Sequence, residues 1–473
     1  MNIVLINLGY IKPLYWVVSP PMGILYLSAY LRKEIGNHLK IRIIDLKIEN
    51  FSVEQLIKVI HEIKPEIIGL SSSTIFAYLI SSLSSRIKEV LPSTWLVLGG
   101  PHASSVRLQA LIESPNLDIV VPGEGEISFR NIVEVYPNKN SLKYISGIIW
   151  RDKNGELIEN PGELKVIDNL DTLPFPAYDL IDISKYWKLQ SMTPLPPRKY
   201  VSVVSSRGCP YKCMWCHRIF GKCFRFYSPK RLIEEIEWYQ KKYQVNEFEF
   251  LDDNFNFNRS RVIHFAELVR RKNLKLKLTF PNAIRTDLID EEVAEALCSA
   301  GTYMSSFSLE TASPRLQKLT QKNLNIPKFL KAVEIMAKKN VYTNGFCMMG
   351  FPTETEEELQ MTIDTATNSM LHTASFFTVI PFPGTQLFEW LKQNKPEKIK
   401  NLNYMNVEYG SIKINLTDLP DKLFFSYQRK ANLKFFLKPD RIYRILRVYP
   451  KPLHLLSYLP IYIQRVLKGL LGL

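Results

Sequence analysis

The chain has 473 residues, 46% hydrophobic and 23% charged, which excludes a disordered or fibrous polypeptide and points to two or three folded domains. Its 61 Lys and Arg against 46 Asp and Glu leave a net charge of +15, so nucleic acid, anionic lipid and anionic substrates all come into question. No run of 18 apolar residues is present, the opening MNIVLINLGY is no signal peptide, and six cysteines are no disulfide framework, so a cytoplasmic, reducing location is expected.

Residues 3–8, 40–45, 67–71, 95–98 and 119–121 read as buried strands, and 23–34, 53–63 and 77–90 as helices. In 53–63, Leu56, Ile57, Ile60 and Ile63 fall on one helix face. This alternation predicts an α/β domain over residues 1–138, a doubly wound, Rossmann-like parallel sheet. Residues 139–195 form a connector: segments 148–150 and 156–159 flank the hairpin signal Lys153-Asn154-Gly155, and Leu173-Pro174-Phe175-Pro176 forbids regular helix. Over 196–400, strands at 200–205, 247–251, 275–280, 305–309, 343–348 and 375–380, with helices such as 232–242 and 291–300 between them, predict a partial (β/α)6 TIM-type barrel. Residues 401–473 form a basic, mainly helical segment with twelve Lys and Arg against four Asp and Glu.

Active sites of such barrels lie at the C-terminal ends of the strands. Here those ends carry Arg207-Gly208-Cys209, Asp252-Asp253, Glu310-Thr311, Gly350-Phe351-Pro352 and Pro383-Gly384-Thr385. The most informative string is Cys209-Pro-Tyr-Lys-Cys213-Met-Trp-Cys216. Thiolates so spaced in a loop after a strand can converge on one metal centre. Iron–sulfur clusters normally take four cysteines, and three leave one iron with an open position. A zinc site completed by His217 or Cys223 is the alternative reading. Cys223, Cys298 and Cys347 read as structural, with Cys223 nearest the loop.

The triad, with Trp215 before its last cysteine, resembles the radical S-adenosylmethionine (SAM) enzymes. The resemblance implies a [4Fe–4S] cluster on Cys209, Cys213 and Cys216, whose open iron chelates the amino and carboxylate groups of SAM. It implies that an electron from the cluster cleaves SAM to methionine and a 5′-deoxyadenosyl radical that abstracts hydrogen from unactivated C–H bonds. It extends to Asp252 and Asp253 as contacts of the SAM amino group, to Ser308-Leu309-Glu310-Thr311, and to the 345–354 segment around Gly350 as an adenine contact. Trp215, Asp252, Asp253, Glu310 and Gly350 are thereby expected to bind SAM.

The first domain resembles the cobalamin (B12)-binding domain of one branch of that family, which includes class B-type methyltransferases and the anaerobic magnesium-protoporphyrin IX monomethyl ester cyclase. The residues that carry this are 20–27, Leu98-Gly99-Gly100-Pro101-His102 and Pro122-Gly123-Glu124-Gly125-Glu126. A glycine pair after a parallel strand lets backbone approach a large flat ligand at the sheet edge. Ser71, Ser72, Gly99, Gly100, Gly123 and Glu124 are expected to contact cobalamin. The Asp-x-His-x-x-Gly motif that places a histidine on cobalt is absent, so His102 is expected to be a loop residue only. Leu173-Pro-Phe-Pro-Ala-Tyr-Asp179 resembles the interdomain segment of the branch.

The basic segment interleaves Lys438, Arg441, Arg444, Arg447 and Lys451 with aliphatic and aromatic residues, then runs uncharged over 452–464 before Arg465 and Lys468. That suits either an anionic membrane surface or a layer packed on the barrel. Nucleic acid is not expected, because no binding module accompanies the charge. The resemblance implies cobalamin-dependent methylation of an unactivated carbon in a hydrophobic substrate, lipid, isoprenoid or tetrapyrrole, with a flavodoxin or ferredoxin as electron donor. Oxidative cyclisation or rearrangement without methyl transfer is the alternative, and a non-catalytic cobalamin sensor a third.

Overall fold

Two parallel sheets carry the chain in the computed structural model, which describes all residues except 11–16, 37, 401, 405–413 and 459–473. The first contains β1 (Asn2–Asn7), β2 (Lys40–Asp45), β3 (Ile67–Ser71), β4 (Trp95–Gly99), β5 (Ile119–Val120), β6 (Ile149–Arg151) and β7 (Leu157–Glu159), in spatial order β2-β1-β3-β4-β5-β6-β7. β1 to β5 are parallel. Ile3–Ile6, Ile67, Ile68, Leu96 and Leu98 are almost fully buried, which explains their unbroken apolar runs: helices cover both faces. Of these, Val53–Ile63 is held by a capping box between Ser52 and Gln55 and buries Leu56, Ile57 and Ile60.

The connector hairpin is found, but it is no free linker: β6 pairs antiparallel with β5 and β7 with β6, extending the first sheet. Burial of Ile149 and Trp150 drives this, and Trp150 Nε1 donates to Asn160 at 3.0 Å.

The second sheet consists of β8 (Val201–Val203), β11 (Glu247–Phe250), β12 (Lys277–Ile284), β13 (Thr302–Glu310), β14 (Tyr342–Met349) and β15 (Thr373–Thr378), all parallel, with β8 and β15 at its edges. It is the expected six-stranded partial barrel. A separate antiparallel pair, β9 (Ser206–Arg207) and β10 (Arg225–Phe226), brackets the cysteine loop.

One apolar core runs through both units, from Leu5 and Phe129 through Tyr178 to Phe248 and Phe307. The 173–179 segment stitches the seam: the Tyr178 hydroxyl donates to the Ser202 carbonyl at 2.7 Å, and Ala177 N–H to Leu25 at 3.1 Å. From the helix Met22–Ile35, Tyr26 donates to the Val204 carbonyl at 3.0 Å.

The basic segment contributes helices Asp421–Phe436 and Pro439–Val448. Phe424, Phe435 and Arg441 are fully buried against the barrel. The Arg441 guanidinium donates to the carbonyls of Thr367, Ser369, Leu371 and Phe435, capping the end of the helix Glu356–Asn368. Arg465 and Lys468 lie outside the described residues. Among the described residues, no helix is long and apolar enough to cross a membrane.

Candidate active site

Gly208 opens the cysteine loop with a φ of +84°, and a Cβ there would stand 2.1 Å from the Cys223 carbonyl oxygen. Only glycine lets this loop close. Cys209 N–H donates to the Gly221 carbonyl at 3.2 Å, Met214 N–H to Thr320 at 3.0 Å, and Leu387 N–H to Met214 at 2.8 Å. The loop is thereby pinned on two sides. Trp215 packs on Phe351, with ring centroids 5.2 Å apart.

The three thiols are unoxidised and share one recess, although the Cys216 side chain also reaches solvent. Burial raises all three pKa values, that of Cys216 to about 12, with Cys213, Asp253 and Cys209 adding to it and Lys322 opposing. Arg285 and Lys322 act the same way on Cys209 and Cys213, and Glu310 the opposite way on Cys213. Asp253, Glu310, Lys322 and Arg285 therefore act on the thiols, a mixed-charge set of the kind the zwitterionic amino-acid end of SAM calls for, although Arg285 is already paired with Asp287 at 2.7 Å. Arg285 and Lys322 belong to no motif: Arg285 directly follows β12, whereas Lys322 comes after the short helix Pro314–Leu319 and carries no sequence signal.

Among the described residues, no three His, Cys, Asp or Glu side chains stand close enough to hold a single metal ion. Tetrahedral zinc would draw its donors to about 2.3 Å from one point. His217, a fourth ligand in that reading, instead has Nε2 2.9 Å from the Pro383 carbonyl. An iron–sulfur cube takes one thiolate per iron, so spaced thiols in one recess fit it better.

The two strand-end aspartates divide their work. Asp252 is buried and committed: its carboxylate accepts from Ser205 N–H at 3.2 Å, Ser205 Oγ at 2.8 Å and Ser206 Oγ. It fixes the strand leading to the cysteines. Asp253, its pKa pushed to about 6 by burial and then by Asp252, is the one that faces the thiols. Glu310 ends β13 in a left-handed conformation, φ 60°, beside Lys322 Nζ at 3.6 Å. Ala283 near the end of β12 and Thr353 in the loop after β14 also have positive φ. Gly350, φ +93°, leaves room for Phe424 of the C-terminal helix, where a Cβ would lie 2.8 Å from the ring. Its N–H is held by Glu354 at 2.6 Å. Cys347 is fully buried in the main core, while its neighbours Phe346 and Met348 point the other way, Met348 packing with Met214 and Trp215. Phe346 meets Phe377 at 5.8 Å, an apolar pair contributed by β14 and β15.

The C-terminal edge of the first sheet faces this rim. A Cβ at Gly384 would lie 2.9 Å from the Ser105 carbonyl oxygen, and one at Gly123 3.7 Å from that of Ile219 in the cysteine loop. Ile75, Ile380, Phe382 and Tyr404 form an apolar wall between the sheets. Glu124 is spent elsewhere: it pairs with Arg207 at 2.7 Å and with Arg225, while Glu126 takes the other arm of Arg207 at 2.6 Å. All four side chains are buried. Glu124, an expected cobalamin contact, sits in an ion-pair clamp between the first domain and the strand entering the cysteine loop.

Gly100, φ +85°, packs on the loop after β3, where a Cβ would lie 2.8 Å from Ser71 Oγ. Gly99 is extended, with no such constraint. Ser72 Oγ donates to the Ser73 carbonyl at 2.9 Å. Gly100 and Ser71, with the apolar wall, make an edge that fits a flat ligand carrying amide arms. His102 lies in the helix Gly100–Val106 rather than in a loop. It is buried beside Thr74, with Nδ1 3.3 Å from Oγ1, and burial lowers its pKa to about 4.

Residues 203–366 match the radical SAM superfamily and residues 17–133 the B12 binding domain. The chain is 30% identical to an uncharacterized methyltransferase of Pyrococcus horikoshii, covering 91% of this chain and 90% of that protein. It is 26% identical to the anaerobic magnesium-protoporphyrin IX monomethyl ester cyclase of Rubrivivax gelatinosus, over 89% and 75% of the two chains. In fold it is similar to the cobalamin-dependent SAM radical enzyme OxsB, solved with aqua-cobalamin and SAM, at a TM-score of 0.67 and 20% identity, covering 84% of this chain and 56% of that one.

Proposed function

The chain belongs to the radical SAM superfamily, in the branch with an N-terminal B12-binding domain, and from that premise we propose that it methylates an unactivated carbon of a hydrophobic small molecule. As a radical SAM enzyme of this branch it uses a [4Fe–4S] cluster, SAM and cobalamin. When bound, these supply the electron, the hydrogen-abstracting group and the methyl group. Everything else is done by the chain's own residues.

Cys209, Cys213 and Cys216 would hold the cluster. Asp253 and Glu310 would take the ammonium of SAM, and Lys322 its carboxylate, orienting it by charge, with Arg285 held beside them by Asp287. Trp215, locked on Phe351, closes the pocket from the loop side. Gly100 and Ser71 would line one side of the cobalamin, with no histidine on cobalt. Phe346, Met348 and Phe377 keep water from the reacting carbon and favour an apolar substrate, since a polar one would lose hydrogen bonds there.

The observation that carries this reading is the juxtaposition of the cysteine loop with the C-terminal edge of the B12-binding sheet, which would let a methyl source and a hydrogen-abstracting site reach one substrate. The full length shared with the Pyrococcus methyltransferase supports methyl transfer over cyclisation. A cytoplasmic location, with flavodoxin or ferredoxin as reductant, completes the proposal. The test is anaerobic reconstitution with SAM bearing a deuterated methyl group, methylcobalamin and an apolar cell extract, read by mass spectrometry. A new apolar product carrying the labelled methyl supports the reading. An unmethylated, desaturated or cyclised product would replace it.

A further inference from the structure

We propose that the outer face of residues 433–456 docks the protein onto the surface of an anionic lipid bilayer. Among the described residues, seven of the seventeen exposed large hydrophobic side chains fall within these 24 residues. Scattered apolar residues on a surface need no explanation, but a concentration of this kind marks a contact site. Leu437 is 70% exposed, Tyr443 66% and Leu453 81%, with Ile442, Leu446 and Leu456 beside them in sequence. On the helix Pro439–Val448, positions 442, 443 and 446 share one side.

The opposite side is fixed. Arg441 is fully buried with four carbonyls on its guanidinium, and Tyr449 packs on Tyr342 with ring centroids 5.3 Å apart. The apolar face therefore cannot rotate inward to find cover.

Charge selects the occupant. Arg447 and Lys451 are exposed among these side chains and are ion-paired with nothing among the described residues. The nearest acidic residue in sequence, Asp440, is engaged by Arg444 at 3.2 Å, and after Asp440 the sequence holds six basic residues and no acidic one. A second copy of the chain would set this positive charge against itself. An apolar face flanked by the cations Arg447 and Lys451, with an exposed Tyr, suits the headgroup boundary of an anionic bilayer.

The inference stands on this face alone, not on the reaction, and vesicle binding reads it without activity. The full-length protein is spun with vesicles of phosphatidylcholine alone and of phosphatidylcholine mixed with phosphatidylglycerol, at low and high salt. Binding to the mixed vesicles, weakened by salt, is expected. Leu437→Ser/Ile442→Ser/Leu446→Ser should reduce partitioning about tenfold or more, and Arg447→Glu/Lys451→Glu should abolish the preference for phosphatidylglycerol. All five side chains are solvent-facing, so an unchanged melting temperature and iron content certify both variants as folded. The proposal is overturned if the wild type ignores the mixed vesicles or if the serine variant binds as well as wild type. It is also overturned if deleting 459–473 abolishes binding while the serine variant leaves it intact. A concentration-dependent dimer that the serine variant dissolves would assign the face to self-association instead.

Discussion

Each cysteine of the triad is replaceable by alanine without leaving a buried charge, so loss of the cluster can be separated from loss of fold. Replacing Cys209, Cys213 and Cys216 together should remove iron and sulfide from anaerobically prepared protein, while Cys223→Ala should keep them; metal analysis and visible absorption decide. Glu124 bears a different burden. Glu124→Gln leaves two buried arginines to share Glu126, which should cost about 3–5 kcal/mol in urea unfolding, because a buried charge without a partner keeps its desolvation penalty. Glu354 gives a pH signature. Burial pushes its pKa up to about 8 against a usual value of 4.5, with the N–H groups of Gly350 and Phe351 opposing. The folded state then holds a proton that the unfolded state releases, so this group makes stability fall as pH rises through that window, by at most about 1.4 kcal/mol per unit. Glu354→Gln should flatten the slope of unfolding free energy between about pH 5 and 8. An unchanged slope would mean the carboxylate is ionised in the fold. At this scale the sequence was a partial guide. The triad is legible because all three ligands lie within eight residues. The partners of Asp252 and Glu124, Ser205 and Ser206 in one case, Arg207 and Arg225 in the other, were not legible because they come from far along the chain.

Among elements, the six barrel strands and the five parallel strands of the first sheet were legible from apolar runs between helical patterns, since burial on both faces leaves that trace. The hairpin was legible as a hairpin, but its attachment to β5 was not, because edge pairing leaves no local signal. The cysteine loop is the most constrained element. Gly208→Ala would drive a methyl into the Cys223 carbonyl at a positive φ, and the protein should lose its cluster or fail to accumulate; the same change at Gly125, unobstructed and at a negative φ, should do neither. In the C-terminal helices, Arg441 reads in sequence as one more surface charge. It is instead the bolt that fastens the segment to the barrel. Arg441→Met should leave four buried carbonyls without a donor and cost at least about 3 kcal/mol by chemical denaturation.

The whole molecule places two sheets with their C-terminal edges face to face, sharing one core and one buried set of ion pairs across the seam. Such a seam resists relative motion of the two units and keeps the cysteine loop at a set place relative to the B12-binding edge. That arrangement suits a reaction in which one substrate atom is first stripped of hydrogen and then given a methyl group. The coproducts formed during anaerobic turnover with SAM, methylcobalamin, a reductant and an apolar extract test it most directly. S-adenosylhomocysteine and 5′-deoxyadenosine should accumulate in equal amounts, matched by the methylated product. 5′-Deoxyadenosine formed with a modified but unmethylated product, and no S-adenosylhomocysteine, would contradict methyl transfer.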